Sequence, residues 1–167
     1  MQTKFRQLVD QHHREVYSYA LHLLNNQAEA EEATQEVYEK LWLHIDHIDT
    51  GQAKFWLLKV MRNHCIDTIR RRREKLSSTE TLEEELPCQN QMNTPSGYLA
   101  ASQLSSWLKK AIESLKEPHK SLIVLFDLQE KSVKEIAAIT GLKESNIKVS
   151  VHRARKQLRA FLKGLDF

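Results

Sequence analysis

Residues 132–158 read SVKEIAAITGLKESNIKVSVHRARKQL, and this stretch decides the fold. Ser132 and Glu135 make a Ser-x-x-Glu pattern, in which each side chain satisfies a backbone N–H that a helix start leaves unpaired, so a short helix begins near Val133. Ile136, Ala137 and Ile139 give that helix an apolar face. Gly141 can take the left-handed conformation that ends a helix and turns the chain sharply, and Leu142 tucks under the turn. Glu144 or Ser145 starts a second helix, whose inward stripe is Ile147, Val151, Ala154 and Leu158. The small Ala137, four residues before Gly141, lets the two helices cross closely. Lys148, His152, Arg153, Arg155, Lys156 and Arg159 stand on the other face, as donors for phosphates and for guanine edges in a major groove. The spacing therefore predicts a helix-turn-helix over 133–156 that binds duplex DNA. On charge alone, a solvated basic face on a helical hairpin fits equally well.

Working outward, helical periodicity covers most of the chain. Leu8, Val9, Val16, Tyr19, Ala20, Leu23 and Leu24 line one face of a first helix that ends near Asn25. Ala33, Val37, Leu41 and Ile45 line a second, with Trp42 beside them and Glu29, Glu32, Glu36 and Glu39 on other faces. After a polar break at 46–51, Leu57, Met61, Cys65 and Ile69 line a third, which runs into Arg70, Arg71, Arg72 and Arg73. Residues 74–97 lose the period, are rich in Ser, Thr, Glu, Gln and Asn, and contain Pro87 and Pro95, as a mobile linker would. Periodicity resumes with Leu104, Leu108, Ala111, Ile112 and Leu115, and Pro118 suits the first turn of the helix that follows. With four Gly and three Pro in 167 residues, the expectation is an all-α protein of two small helical domains, 1–73 and 99–167, joined by a flexible acidic linker at 74–98.

Charge sorts by segment more than its net value of +3 suggests. Residues 54–73 hold seven Lys or Arg against one acid, and residues 141–163 again seven against one. Residues 28–49 reverse this, with seven acids and one Lys. The longest apolar runs fall far short of the roughly 20 residues that span a bilayer, and residues 1–8 lack the apolar core of a secretory signal, so a cytoplasmic protein is expected. Cys65 and Cys88 have no ligand-type spacing, and no structural disulfide is expected. His12 and His13, and His44 with His47, lack the partners of a metal site, and no phosphate loop or nucleophile elbow occurs. Neither a metal, a cofactor nor catalysis is expected.

The stretch from Glu135 to Leu158 resembles the region-four helix-turn-helix of extracytoplasmic-function sigma factors of bacterial RNA polymerase. Ala28 to Trp42, with Gln35-Glu36-Val37-Tyr38 and Lys40-Leu41-Trp42, is similar to their core-binding helix of region two. Phe55 to Arg73, containing WLLKVMRNHCIDTIRRRR, resembles their promoter-melting helix. The resemblance implies that Glu32, Gln35, Glu36 and Glu39 meet the clamp helices of the polymerase largest subunit. It implies that Arg62, Arg70, Arg71, Arg72 and Arg73 touch the phosphates of the melted strand, and that Asn63 lies where an unstacked base of the minus-ten element is captured. Lys148, His152, Arg153, Arg155 and Lys156 would face the minus-thirty-five element. Ser150 stands where many relatives carry Arg, Val149 where many have Ser and Thr140 where Leu is usual, so no promoter sequence follows. The implied partners are core RNA polymerase, promoter DNA and an anti-sigma factor. The linker would thread the RNA exit path or act as a plain tether. The alternative is a stand-alone helix-turn-helix regulator that binds an operator without polymerase.

Overall fold

The computed structural model describes residues 1–78 and 99–164. Among the described residues seven α-helices follow one another: α1 (Gln2–Leu24), α2 (Gln27–His44), α3 (Ala53–Ser78), α4 (Leu99–Ser114), α5 (His119–Ile123), α6 (Val133–Thr140) and α7 (Glu144–Lys163). A π-helical segment, Val124–Leu128, continues α5. The fold is all-α, as the periodicity requires, with no strand among the described residues.

Local chemistry sets the breaks. Asn25 ends α1 in the left-handed conformation (φ 48°), donating its N–H to the Leu21 carbonyl, and the Asn26 side chain accepts the Glu29 N–H at 3.0 Å to start α2. The Lys4 ammonium donates to the carbonyls of Ile45 and Ile48, at 2.8 and 2.7 Å, and so ties the loop between α2 and α3 to α1. The capping box forms in full: the Glu135 N–H donates to Ser132 Oγ (3.1 Å) and the Ser132 N–H to Glu135 Oε2 (2.8 Å). Those bonds hold the Glu135 carboxyl below its usual range. Gly141 takes φ 75°, and α7 starts at Glu144, with Lys143 rather than Glu144 or Ser145 as its N-cap. Pro118 stands at the N-cap of α5, just before its first turn.

The predicted stripes face inward. Leu8, Val16, Tyr19, Ala33, Val37, Leu41, Leu57, Met61 and Cys65 are buried where α1, α2 and α3 pack together, while Ile69 is half-buried. Burial pushes the Cys65 thiol up to about 12, which makes it an unreactive apolar filler. Cys88 lies outside the described residues. Ala111, Ile112 and Leu115 are buried in the C-terminal half, but Leu108 stays exposed. α3 keeps its helix to Ser78, past the Arg73 at which the first domain is expected to end. Residues 74–78 belong to that helix, and 79–98 lie outside the described residues.

The two halves share one apolar cluster, since Leu122, Ile123, Val124 and Ile136 continue the core that Tyr19 and Leu58 begin. α6 packs on α3, and the π-helical segment packs on α1. Polar contacts mark the seam. Gln129 Nε2 donates to the Glu15 carbonyl at 2.9 Å, the buried Lys131 ammonium pairs with the Glu15 carboxylate, and Arg62 lies 3.9 Å from Glu117. Glu130, between Gln129 and Lys131, has a left-handed backbone (φ 54°), uncommon for a residue with a side chain.

Candidate nucleic-acid and polymerase interfaces

α2 and α3 lie side by side and leave a groove of about 600 Å³ between them. Glu36, Lys40 and His44 line it from α2, spaced by one helical turn each. Trp56, Val60, Asn63, His64, Asp67, Arg70 and Arg71 line it from α3. Asn63 is exposed in that groove with its amide free to donate and accept. The His64 imidazole meets Glu36 at 3.2 Å. Asp67 accepts from Arg70 at 2.9 Å, which keeps that guanidinium at the rim. Apolar walls from Trp56 and Val60, a polar floor and a cationic rim suit a flat, hydrogen-bonding ring attached to phosphate.

The arginines expected on the melted strand divide into three groups. Arg70 and Arg71 line the groove, and Arg73 is exposed beyond it. Arg62 points the other way, toward Glu117, with only 13% of its side chain exposed. Arg72 is committed to structure: its Nε reaches Glu29 Oε1 at 3.2 Å, and its Nη2 reaches the Leu24 carbonyl at 3.1 Å. It thereby clamps the end of α1 to the start of α2. We expect Arg72→Ala to lower thermal stability by about 1 to 2 kcal/mol, since the pair is partly solvated but a helix-end carbonyl loses its donor. Arg71→Ala should leave the melting temperature unchanged, and thermal unfolding of both variants checks the contrast.

Glu32, Gln35 and Glu39 are exposed on one face of α2, and Glu36 shares it at the edge nearest α3. Sequence reasoning placed all four together but missed that Glu36 belongs equally to the groove through His64. No local signal marks that pair, which joins two helices.

On α7, Lys148, His152, Arg153 and Lys156 are exposed, while Ile147, Val151 and Ala154 are buried against the helices behind. Arg155 differs from its neighbours. Its Nε donates to Asp127 Oδ2 at 3.1 Å, its Nη2 pairs with the other carboxylate oxygen, and the guanidinium lies 5.0 Å over the Phe126 ring. The pair raises the Arg155 pKa above its ordinary value. Asp127 and Phe126 carry no local signal as partners, since Asp127 precedes Arg155 by 28 residues, on a different element. Lys148, His152 and Arg155 edge a shallow depression of about 160 Å³ floored by Phe126, Val133 and Val151.

Among the described residues no helix is long and apolar enough to cross a membrane, and no three His, Cys, Asp or Glu side chains converge as metal ligands.

Known proteins share this arrangement. The family description for sigma-70 region 2 matches residues 8–75, and that for sigma-70 region 4 matches residues 105–158. An ECF RNA polymerase sigma factor, SigE of Mycolicibacterium smegmatis, is 31% identical over 157 residues, 93% of this chain and 60% of the relative, so the chain spans under two thirds of that protein. SigL of Mycobacterium tuberculosis, also an ECF RNA polymerase sigma factor, is 31% identical over 162 residues, 96% of this chain and 89% of the relative. The solved sigma factor RpoE of Bartonella quintana, in complex with the anti-sigma factor NepR, superposes with a TM-score of 0.74 at 25% identity, covering 95% of this chain and 96% of that one. With both sigma regions matched in order, and a relative of similar length at this identity, the chain belongs to the ECF sigma factors of the sigma-70 family.

Proposed function

We propose that this chain binds core RNA polymerase in the cytoplasm, places it at promoters and helps open the duplex, with no catalysis of its own. The observation that carries this reading is the meeting of two surfaces in one chain. A groove with a free amide and a cationic rim lies between α2 and α3, and a capped helix-turn-helix with a basic second helix lies in the other half. In this reading region two occupies 1–73, with α3 continuing it to Ser78, and region four occupies 99–167. Glu32, Gln35, Glu36 and Glu39 meet the clamp helices of the largest subunit. Asn63 holds an unstacked base of the minus-ten element, and Arg70, Arg71 and Arg73 hold its phosphates. Lys148, His152, Arg153 and Lys156 face the minus-thirty-five element, while Asp127 and Phe126 hold Arg155 in place beside them. Opening the duplex then takes no motor: the separated strand is bound more tightly than the closed one, and the difference in affinity shifts the equilibrium. An anti-sigma factor would restrain the free chain, as NepR accompanies the RpoE relative.

The test is promoter-fragment binding by the chain alone and with purified core polymerase. Tight sequence-selective binding only with core is expected; equally tight operator binding by the chain alone would make it a stand-alone regulator. In the same assay Arg153→Ala should weaken binding by about 1 to 3 kcal/mol, at promoters that need the upstream element. An equal loss on every sequence would make Arg153 a phosphate contact instead.

A further inference from the structure

Glu36 of α2 and His64 of α3 meet in the groove that Asn63 lines. Glu36 Oε2 lies 3.2 Å from His64 Nδ1, and the His64 side chain keeps 11% of its exposure. An ionised carboxylate only accepts, so the proton of a neutral ring sits on Nδ1, and Nε2 is left with a bare lone pair. The other aromatic pair of the groove stands apart. His44 and Trp56, with ring centroids 5.9 Å apart, lie eight residues from Glu36 and His64 along their helices, about 12 Å away. Lys40, between the two ends, is a flexible cation that suits phosphate as well as a base, and Asp67 already accepts from Arg70. Asn63 and His64, consecutive on α3, are therefore the side chains placed to meet one base edge.

These two differ in what they can tell apart. On the edges used for pairing, adenine and cytosine set an amine beside a ring nitrogen that accepts, whereas guanine and thymine set a carbonyl beside a ring N–H. The Asn63 amide turns over to match either order, because it carries both a donor and an acceptor. His64 has no such freedom while Glu36 fixes its proton. An amine donates to Nε2, but a carbonyl set against Nε2 brings two lone pairs together.

We propose that His64 reads the captured base: it accepts from the exocyclic amine of adenine or cytosine and rejects guanine and thymine, with Glu36 as the positioning residue that fixes its tautomer. This rests on the strand-capture reading of the groove and adds to it the class of base selected. The pair engages Oε2 of Glu36, and the carboxylate keeps its other oxygen for the outward face of α2.

Binding of fork-junction DNA by the chain with saturating core polymerase tests the proposal, on a promoter that the two together open. Each position of the unpaired minus-ten strand is set in turn to all four bases, so that adenine is compared with guanine and cytosine with thymine at equal ring size. At one position the amine-bearing base of each couple should bind roughly fivefold more tightly, the worth of one hydrogen bond. In His64→Gln, whose amide can turn over, both ratios should fall to within about twofold. Ratios of natural size in His64→Gln would overturn the proposal. So would opening by the natural chain with no position that prefers the amine. A chain that opens no promoter would sink the strand-capture reading itself, and the proposal with it. Should His64→Gln fail to fold, nitrogen NMR of the His64 ring in the natural chain decides. A proton on Nδ1 with Nε2 bare supports the proposal, and a proton on Nε2 overturns it.

Discussion

Glu15→Ala is expected to separate the two halves of the chain. Lys131 retains only 7% of its side-chain exposure, and Glu15 is its ion-pair partner. Removing one partner of a buried pair leaves an uncompensated charge, at a cost of roughly 3 kcal/mol that weighs against the docked state. The relief open to it is undocking, in which Lys131 regains water at the expense of the apolar contacts that cross the seam. Amide hydrogen exchange checks this: protection should fall in Val124–Leu128 and along the covered side of α1, while the α2 amides keep theirs. Glu15→Gln should do less harm, since its amide oxygen still accepts from Lys131. Unchanged exchange in Glu15→Ala would mean that the seam does not depend on the pair.

Asn63→Ala should have the largest effect on promoter opening without touching stability. The side chain is exposed, so its removal uncovers no core and breaks no hydrogen bond that holds the fold. If the amide satisfies the edge of an extruded base, its loss costs about 1 to 3 kcal/mol, or roughly 5- to 150-fold in open complex at equilibrium. Permanganate reactivity of unpaired thymines in the presence of core polymerase reads that population. Affinity for core alone should not change, because Glu32, Gln35 and Glu39 stand on the outward face of α2. Open complex at the natural level would remove Asn63 from the groove's function.

What the sequence discloses and what it hides follow from the range of the interactions. Ser132, Glu135 and Gly141 were readable because a capping box and a left-handed helix end are encoded within a few residues, and the backbone takes the conformations those residues favour. The inward stripes of α1, α2, α3 and α7 were readable for the same reason, since each helix repeats its own period. The end of α3 was placed too early: Glu74, Lys75, Ser77 and Ser78 carry no apolar period, yet they extend a helix already nucleated upstream. Leu108 follows the period of α4 but stays 38% exposed.

The candidate sites were legible as residue types and illegible as arrangements. A run of four arginines announces a basic surface, but nothing local says that Arg72 turns inward to Glu29, 43 residues away. The same holds for Arg155 and Asp127, and for Glu36 and His64. Each pair joins two helices, so its geometry is set by packing and not by spacing along one chain segment. The seam is the extreme case. Lys131 and Glu15 are 116 residues apart, and both are of types that normally face solvent.

The most direct test of the central claim is run-off transcription from genomic promoter fragments with purified core polymerase, with and without this chain, mapping transcript 5′ ends. Starts that appear only when the chain is added, at a set of fragments sharing two spaced elements, are the expected result. No chain-dependent start on any fragment, together with no binding of the chain to core, would contradict it.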